Sequence, residues 1–85
     1  MSVALRLDMP DSAFSALHKS PSEFASELRL AASVKWYEMA IISQEKGAEI
    51  AGLSRVEFVE ALGRFRVSPL QYSAAEVEAE LADVD

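Results

Sequence analysis

From Val3 to Met9, apolar residues (Val3, Leu5, Leu7, Met9) alternate with Ala4, Arg6 and Asp8. That period of two predicts a half-buried β-strand, closed by Pro10. No second run of comparable quality follows. An unpaired strand is exposed to association, so pairing with the same strand of a second subunit is expected. Arg66-Val67-Ser68 or Leu70-Gln71-Tyr72 is the intrachain alternative. The period then becomes helical. Asp11 is placed as the cap of a short helix through Leu17, with Phe14 and Leu17 on one side. Ser20-Pro21-Ser22-Glu23 is a capping box with proline at the first helical position, where its missing N–H costs nothing. The helix it opens is predicted to run to Ile41.

At roughly 100° per residue, Phe24, Leu28, Ala31, Met39 and Ile42 form one stripe of this helix, and Leu30, Val34, Tyr37 and Ile41 a second. Thirteen of the nineteen residues from Phe24 to Ile42 are apolar, whereas a surface helix needs a single apolar face. A central helix with one face for its own domain and one for another subunit is expected. Ser43 to Ala51, a Gly52-Leu53 break and Ser54 to Phe65 follow. Ser54-Arg55-Val56-Glu57 is a second capping box, and Phe58, Ala61, Leu62 and Phe65 give its helix an i, i+3, i+4, i+7 face. Ser68-Pro69 ends regular structure. Ser73-Ala74-Ala75-Glu76 is a third capping box, opening a short helix with Val77, Leu81 and Val84 on one stripe. Such a helix is marginal alone and needs a docking surface.

Length and charge narrow the function. Eighty-five residues make one domain near the small end of what folds alone. The absence of Cys removes disulfide staples and leaves oligomerisation as the usual device. The first residues lack the basic and apolar regions of a signal peptide. The apolar stretch 24–42 carries Glu27, Arg29, Lys35 and Glu38, which excludes a bilayer span. A cytoplasmic location is expected. The net charge of −6 is concentrated in residues 67–85, which hold five carboxylates and no Lys or Arg. Residues 43–66 hold four of each sign. The overall balance argues against strong non-specific nucleic-acid binding and leaves a local site open.

No catalytic constellation is present, and neither enzymatic activity, cofactor, metal nor small-molecule substrate is expected. His18 has no Cys, Asp or Ser partner in a recognised arrangement and is read as structural or exposed. Glu76, Glu80 and Asp83 share spacings that usually mark a solvated helix face; a hard-metal site needs more oxygen ligands, rigidly held. The segment 43–65 is the informative one. A helix-turn-helix needs a small residue where its helices approach, a turn containing Gly, and an apolar ridge on the second helix. Ala48, Gly52, Phe58 and Ala61 fit that spacing. Candidate DNA contacts are Gln44 and Lys46 on the first helix, Ser54 and Arg55 at the start of the second, and Arg64 with Arg66 after it. Arg55 is the best base-reading candidate, because the N-terminal part of a recognition helix meets base edges. Its plain alternative is a surface arginine supporting the turn. Glu57 and Glu60 on the same helix oppose a phosphate-lined groove. A paired N-terminal ribbon would also present Ala4, Arg6 and Asp8 to a groove, but one Arg beside one Asp makes a poor reader.

From about residue 3 onward, the chain resembles a family of small prokaryotic proteins of uncharacterised function with a C-terminal helix-turn-helix, often proposed as antitoxins of toxin–antitoxin pairs. The resemblance is carried by Glu27-Leu28-Arg29-Leu30-Ala31, by Trp36-Tyr37-Glu38, and by the run Lys46-Gly47-Ala48-Glu49-Ile50-Ala51-Gly52-Leu53-Ser54-Arg55-Val56-Glu57-Phe58. Val67, Tyr72 and the acidic end extend it, and Ala48 to Phe58 is its most specific part. Family members favour a small-residue pair, as in Gly-Lys-Ala-Ala, where this chain has Glu45-Lys46-Gly47-Ala48. Gly47 is expected to weaken its helix by about 1 kcal/mol relative to Ala, and Glu45 adds a carboxylate on the DNA side.

The expected fold is mainly α, with a short N-terminal β-strand, a long central helix, a helix-turn-helix and a short C-terminal helix, assembled as a homodimer. Residues 1–42 hold the strand and dimerising helices, 43–66 the helix-turn-helix and 67–85 the acidic segment. The resemblance implies an antitoxin-type regulator of operator DNA. Its tail (Tyr72, Val77, Leu81, Val84) would dock on a toxin of nuclease type. The alternative is a protein-interaction adaptor in which the helical hairpin is only a scaffold.

Overall fold

In a computed structural model of the chain, which describes residues 2–70, four helices follow one another. These are α1 (Asp11–Leu17), α2 (Pro21–Glu38), α3 (Gln44–Ala51) and α4 (Arg55–Arg64). The helix starts lie where the sequence places them. The Ser20 hydroxyl accepts from the Glu23 amide while the Glu23 carboxylate accepts from the Ser20 amide, and Ser54 and Glu57 repeat the arrangement. The Ser43 hydroxyl caps α3 through the Lys46 amide. At α1 the expectation is shifted by one residue. Pro10 holds the cap position and Asp11 lies in the first turn, where its carboxylate faces the positive end of the helix.

All four helices end in the same way. A residue in the left-handed region (His18, Ala40, Gly52, Arg66) sends its amide back to the carbonyl three residues earlier, and the next residue bonds five back. This is the Schellman geometry, which usually takes Gly at its left-handed position; only one of the four is Gly. Ala40 stops α2 at Glu38, short of the predicted Ile41. Ile41 therefore leaves the helical stripe and is exposed.

The core lies between α2, α3 and α4. Val34 and Tyr37 of α2 pack with Ala48, Ala51, Phe58, Leu62 and Val67, and Leu30, Ile42 and Leu53 close the margin. The second stripe of α2 is thus its inner face. Ser33 is fully buried on that side, its hydroxyl donating to the Arg29 carbonyl at 2.7 Å. Phe58 and Leu62 are completely enclosed, each burial contributing roughly 1.5–3 kcal/mol. On the opposite side, Leu28 and Trp36 of α2 and Met39 just after it are exposed. α1 buries no residue and rests on α2 through the tilted Phe14–Phe24 ring contact (4.9 Å) and the Lys19–Glu27 ion pair (3.6 Å).

The predicted N-terminal strand is not formed. Among the described residues there is no β-strand, and Val3, Leu5, Leu7 and Met9 are all exposed. Alternation sets which side chains share a face, but a strand also needs a partner for its N–H and C=O groups. Of the two intrachain candidates, Arg66-Val67-Ser68 forms no strand, with Val67 buried in the core, and residues 71 and 72 of the other lie outside the described residues. The C-terminal helix expected after Ser73 also lies outside them.

Candidate nucleic-acid interface

α3 and α4 meet across the short Gly52-Leu53-Ser54 turn. Gly52 has φ +73°, a conformation that L side chains rarely adopt. The helices approach closely because of Gly47. A Cβ at that position would fall 2.6 Å from Cζ of Phe58, so the enclosed ring occupies the space an alanine would need. The expectation that Gly47 only weakens its helix is therefore corrected: together with buried Ala48, it is the small residue of the crossing. Tyr37 packs against the Phe58 ring in a T-shaped contact, with centroids 6.1 Å apart.

The structure brings two of the sequence-predicted contacts together. Arg55 occupies the first position of α4, and its Nε donates to Oε1 of Gln44 at 2.8 Å. The Gln44 amide donates in turn, through Nε2, to the Pro69 carbonyl at 3.0 Å. Tyr37 Oη donates to the same carbonyl at 2.8 Å. This fixes the amide: turned over, it would set oxygen against oxygen and NH2 against guanidinium. Gln44 thus holds exposed Arg55 through Nε, and the terminal fork is not used in that bond. Two parallel N–H groups at that fork match the O6 and N7 acceptors of guanine.

The remaining candidates are differently placed. The Ser54 hydroxyl is engaged as the helix cap. The Lys46 ammonium lies 2.8 Å from Glu49, whose hydrogen bond holds the lysine above the ordinary value, so a phosphate must compete with that carboxylate. Arg64 is exposed at the far end of α4, about 14 Å along the axis from Arg55 at 1.5 Å per residue. There it lines a shallow depression with Leu53, Glu57 and Glu60. Arg66 is exposed and holds one of the left-handed positions. Tyr72, Val77, Leu81 and Val84 lie outside the described residues.

Glu57, counted against a phosphate partner on sequence grounds, is tied to the helix. Its carboxylate accepts from the Ser54 amide at 2.9 Å, and that bond, followed by the Ser54 hydroxyl, holds it below the usual carboxylate range. The outer face of α4 nevertheless stays open, with Val56, Glu57, Glu60, Gly63 and Arg64 all exposed.

Two contributors escape sequence reasoning. Arg29 of α2 donates from Nε to the Ile50 carbonyl at 2.9 Å and lays its guanidinium against Gly52. A cation at the C-terminal end of α3 suits the helix dipole there and ties the turn to α2. Nothing in the sequence signals a contact across 21 residues. The Pro69 carbonyl is the other. Its only sequence trace is Tyr37, a tyrosine on a core stripe whose hydroxyl needs a partner.

Among the described residues, no group of three His, Cys, Asp or Glu could hold a metal ion, and no helix is long and apolar enough to cross a membrane. The model of an uncharacterised protein family (UPF0175) matches residues 1–85. Two proteins of Aeropyrum pernix, each described as a UPF0175 protein, are similar. One is 37% identical over 65 residues, covering 76% of this chain and 72% of the relative. The other is 36% identical over 67 residues, covering 74% and 85%. No solved structure matches significantly.

Proposed function

The chain belongs to the uncharacterised protein family UPF0175, and from that premise we propose that it is a small non-enzymatic DNA-binding regulator of antitoxin type, acting as a homodimer. The observation that carries this reading is the Gln44–Arg55 pair at the start of α4, beside a tight glycine turn and next to an open helix face. Orienting an arginine fork through a neighbouring glutamine reduces the ordering needed on binding, which favours base reading over diffuse phosphate attraction. The near-balanced charge of 43–66 agrees with that emphasis. A two-fold dimer sets paired half-sites about 34–36 Å apart, one turn of DNA. The acidic tail supplies the protein-binding element, with Tyr72, Val77, Leu81 and Val84 against an apolar groove and its carboxylates against basic residues that a nuclease-type toxin uses on RNA.

Exposed Glu57 and Glu60 on the outer face of α4 favour a second reading, a protein-interaction adaptor in which the helical hairpin is only a scaffold. Mutation separates the two. Under the first, Arg55→Ala and Gln44→Ala weaken binding to the DNA upstream of the protein's own gene, and removal of residues 73–85 spares DNA while losing the protein partner. Operator affinity unchanged in Arg55→Ala rejects the first reading.

A further inference from the structure

We infer that residues 3–9 form, with the same segment of a second copy, a two-stranded antiparallel ribbon whose two-fold axis passes through Leu7. The inference deepens the homodimer in the proposed function and is independent of whether DNA is bound. The segment exposes four apolar side chains in strict alternation, from Val3 at 92% to Met9 at 39%. Its backbone has no ladder partner within the described residues.

Charge selects the register. Arg6 and Asp8 lie on the same side of the extended segment, 3.1 Å apart at their side chains and exposed at 88% and 82%. With the axis at Leu7, each Arg6 stands opposite Asp8 of the second copy, Leu7 opposite Leu7, and Leu5 opposite Met9. Both charges are matched, and the apolar side chains share one face. With the axis at Arg6 or at Asp8, two like charges face each other across it. With the axis at Leu5, Arg6 faces Ala4 and Asp8 faces Ser2, so neither charge is matched. A parallel two-fold pair sets Arg6 on Arg6 and Asp8 on Asp8. Like charges directly opposite destabilise a strand pair, which leaves the axis at Leu7.

Pro10 fixes the remaining choice. A proline has no N–H for the ladder, so position 10 must turn its backbone outward. Positions 5, 7 and 9 then carry the ladder bonds. Arg6 and Asp8 of the second copy fall in a non-hydrogen-bonded pair, where side chains come closest. A standard interface covers roughly 800 Å² per subunit, more than a strand about 23 Å long provides by itself. The exposed Leu28, Trp36 and Met39, along α2 and at its end, supply a further apolar face on the same chain.

The chain has no cysteine, so single-cysteine variants report the register cleanly. Directly opposite ladder residues have Cα atoms about 5.5 Å apart, within the roughly 4.4–6.8 Å of a disulfide. Under oxidation, Leu7→Cys is expected to give a covalent dimer by itself. Leu5→Cys and Met9→Cys are expected to cross-link only when the two variants are mixed. A charge exchange gives an independent readout. Arg6→Asp chains carry carboxylates at both positions and Asp8→Arg chains carry guanidiniums at both. Each alone is expected to dimerise at least tenfold more weakly than the native chain, and an equimolar mixture to form heterodimers. The Arg6–Asp8 pair within one chain cannot produce heterodimers. Cross-linking at position 5 or 6 by itself, failure at Leu7→Cys, or a native chain that stays monomeric in light scattering overturns the inference. None of these readouts involves DNA, so a failure here is distinct from a failure of operator binding.

Discussion

Two glycines on adjacent helices should respond in opposite ways to the same substitution. Gly63 lies in α4 with nothing within 4 Å of where a Cβ would sit, so Gly63→Ala simply gains helix propensity. That gain is about 1 kcal/mol. Gly47→Ala gains the same propensity in α3, but its methyl meets Phe58 at 2.6 Å from Cζ and 2.9 Å from Cε2. The ring cannot swing aside freely, because Phe58 is fully buried and Tyr37 stands edge-on against it. Overpacking of this kind costs typically 1–3 kcal/mol, leaving Gly47→Ala destabilised by about 1 kcal/mol. The two variants should therefore differ by about 2 kcal/mol in urea unfolding, measured at one protein concentration because association shifts apparent stability. A double-mutant cycle sharpens the test: Phe58→Leu should be less damaging in the Gly47→Ala background than in the native one. Gly47→Ala as stable as Gly63→Ala would refute the close helix crossing on which the turn geometry rests.

Three further outcomes follow from the helix ends and caps. Ala40→Gly should raise the melting temperature, since it relieves a left-handed alanine at φ 61°; the strain of about 1–2 kcal/mol exceeds the added unfolded-state entropy of about 0.4–1 kcal/mol. Arg29→Ala should lower stability by about 1 kcal/mol through loss of the bond to the Ile50 carbonyl, and Arg29→Lys should not restore it, because an ammonium lacks the planar guanidinium that lies against Gly52. Glu23 and Glu57 are both held below the usual carboxylate range by Ser20 and Ser54. Their contribution is present above the unfolded value of about 4.3 and is lost as pH falls through the lower folded value. Unfolding followed from pH 6 to pH 2 should show a shallower acid slope in Glu57→Gln than in the native chain.

The helix starts were legible in the sequence because their signal is local. Ser20 with Glu23, and Ser54 with Glu57, satisfy their own backbone donors within one turn. The ends were not legible. Three of the four left-handed residues are His18, Ala40 and Arg66, which carry none of glycine's signal, so α2 ends before Ile41. Alternation in residues 3–9 predicts a strand that is not formed, because a strand needs a pairing partner that the described residues do not supply. In the candidate interface, Gln44 and Arg55 were each picked out by position along a helix. Their mutual contact depends on the crossing at Gly47 and on the Pro69 carbonyl, both tertiary features. Arg29 was invisible for the same reason.

The central claim is that α4 reads DNA through a pre-oriented Arg55. Its most direct test is fluorescence anisotropy of the purified protein against the duplex upstream of its own gene and against a scrambled duplex, across a salt series. The account predicts preference for the upstream duplex, weakening of both affinities as salt rises, and loss of the preference in Arg55→Ala. Equal binding to the two duplexes, or none to either, would contradict it.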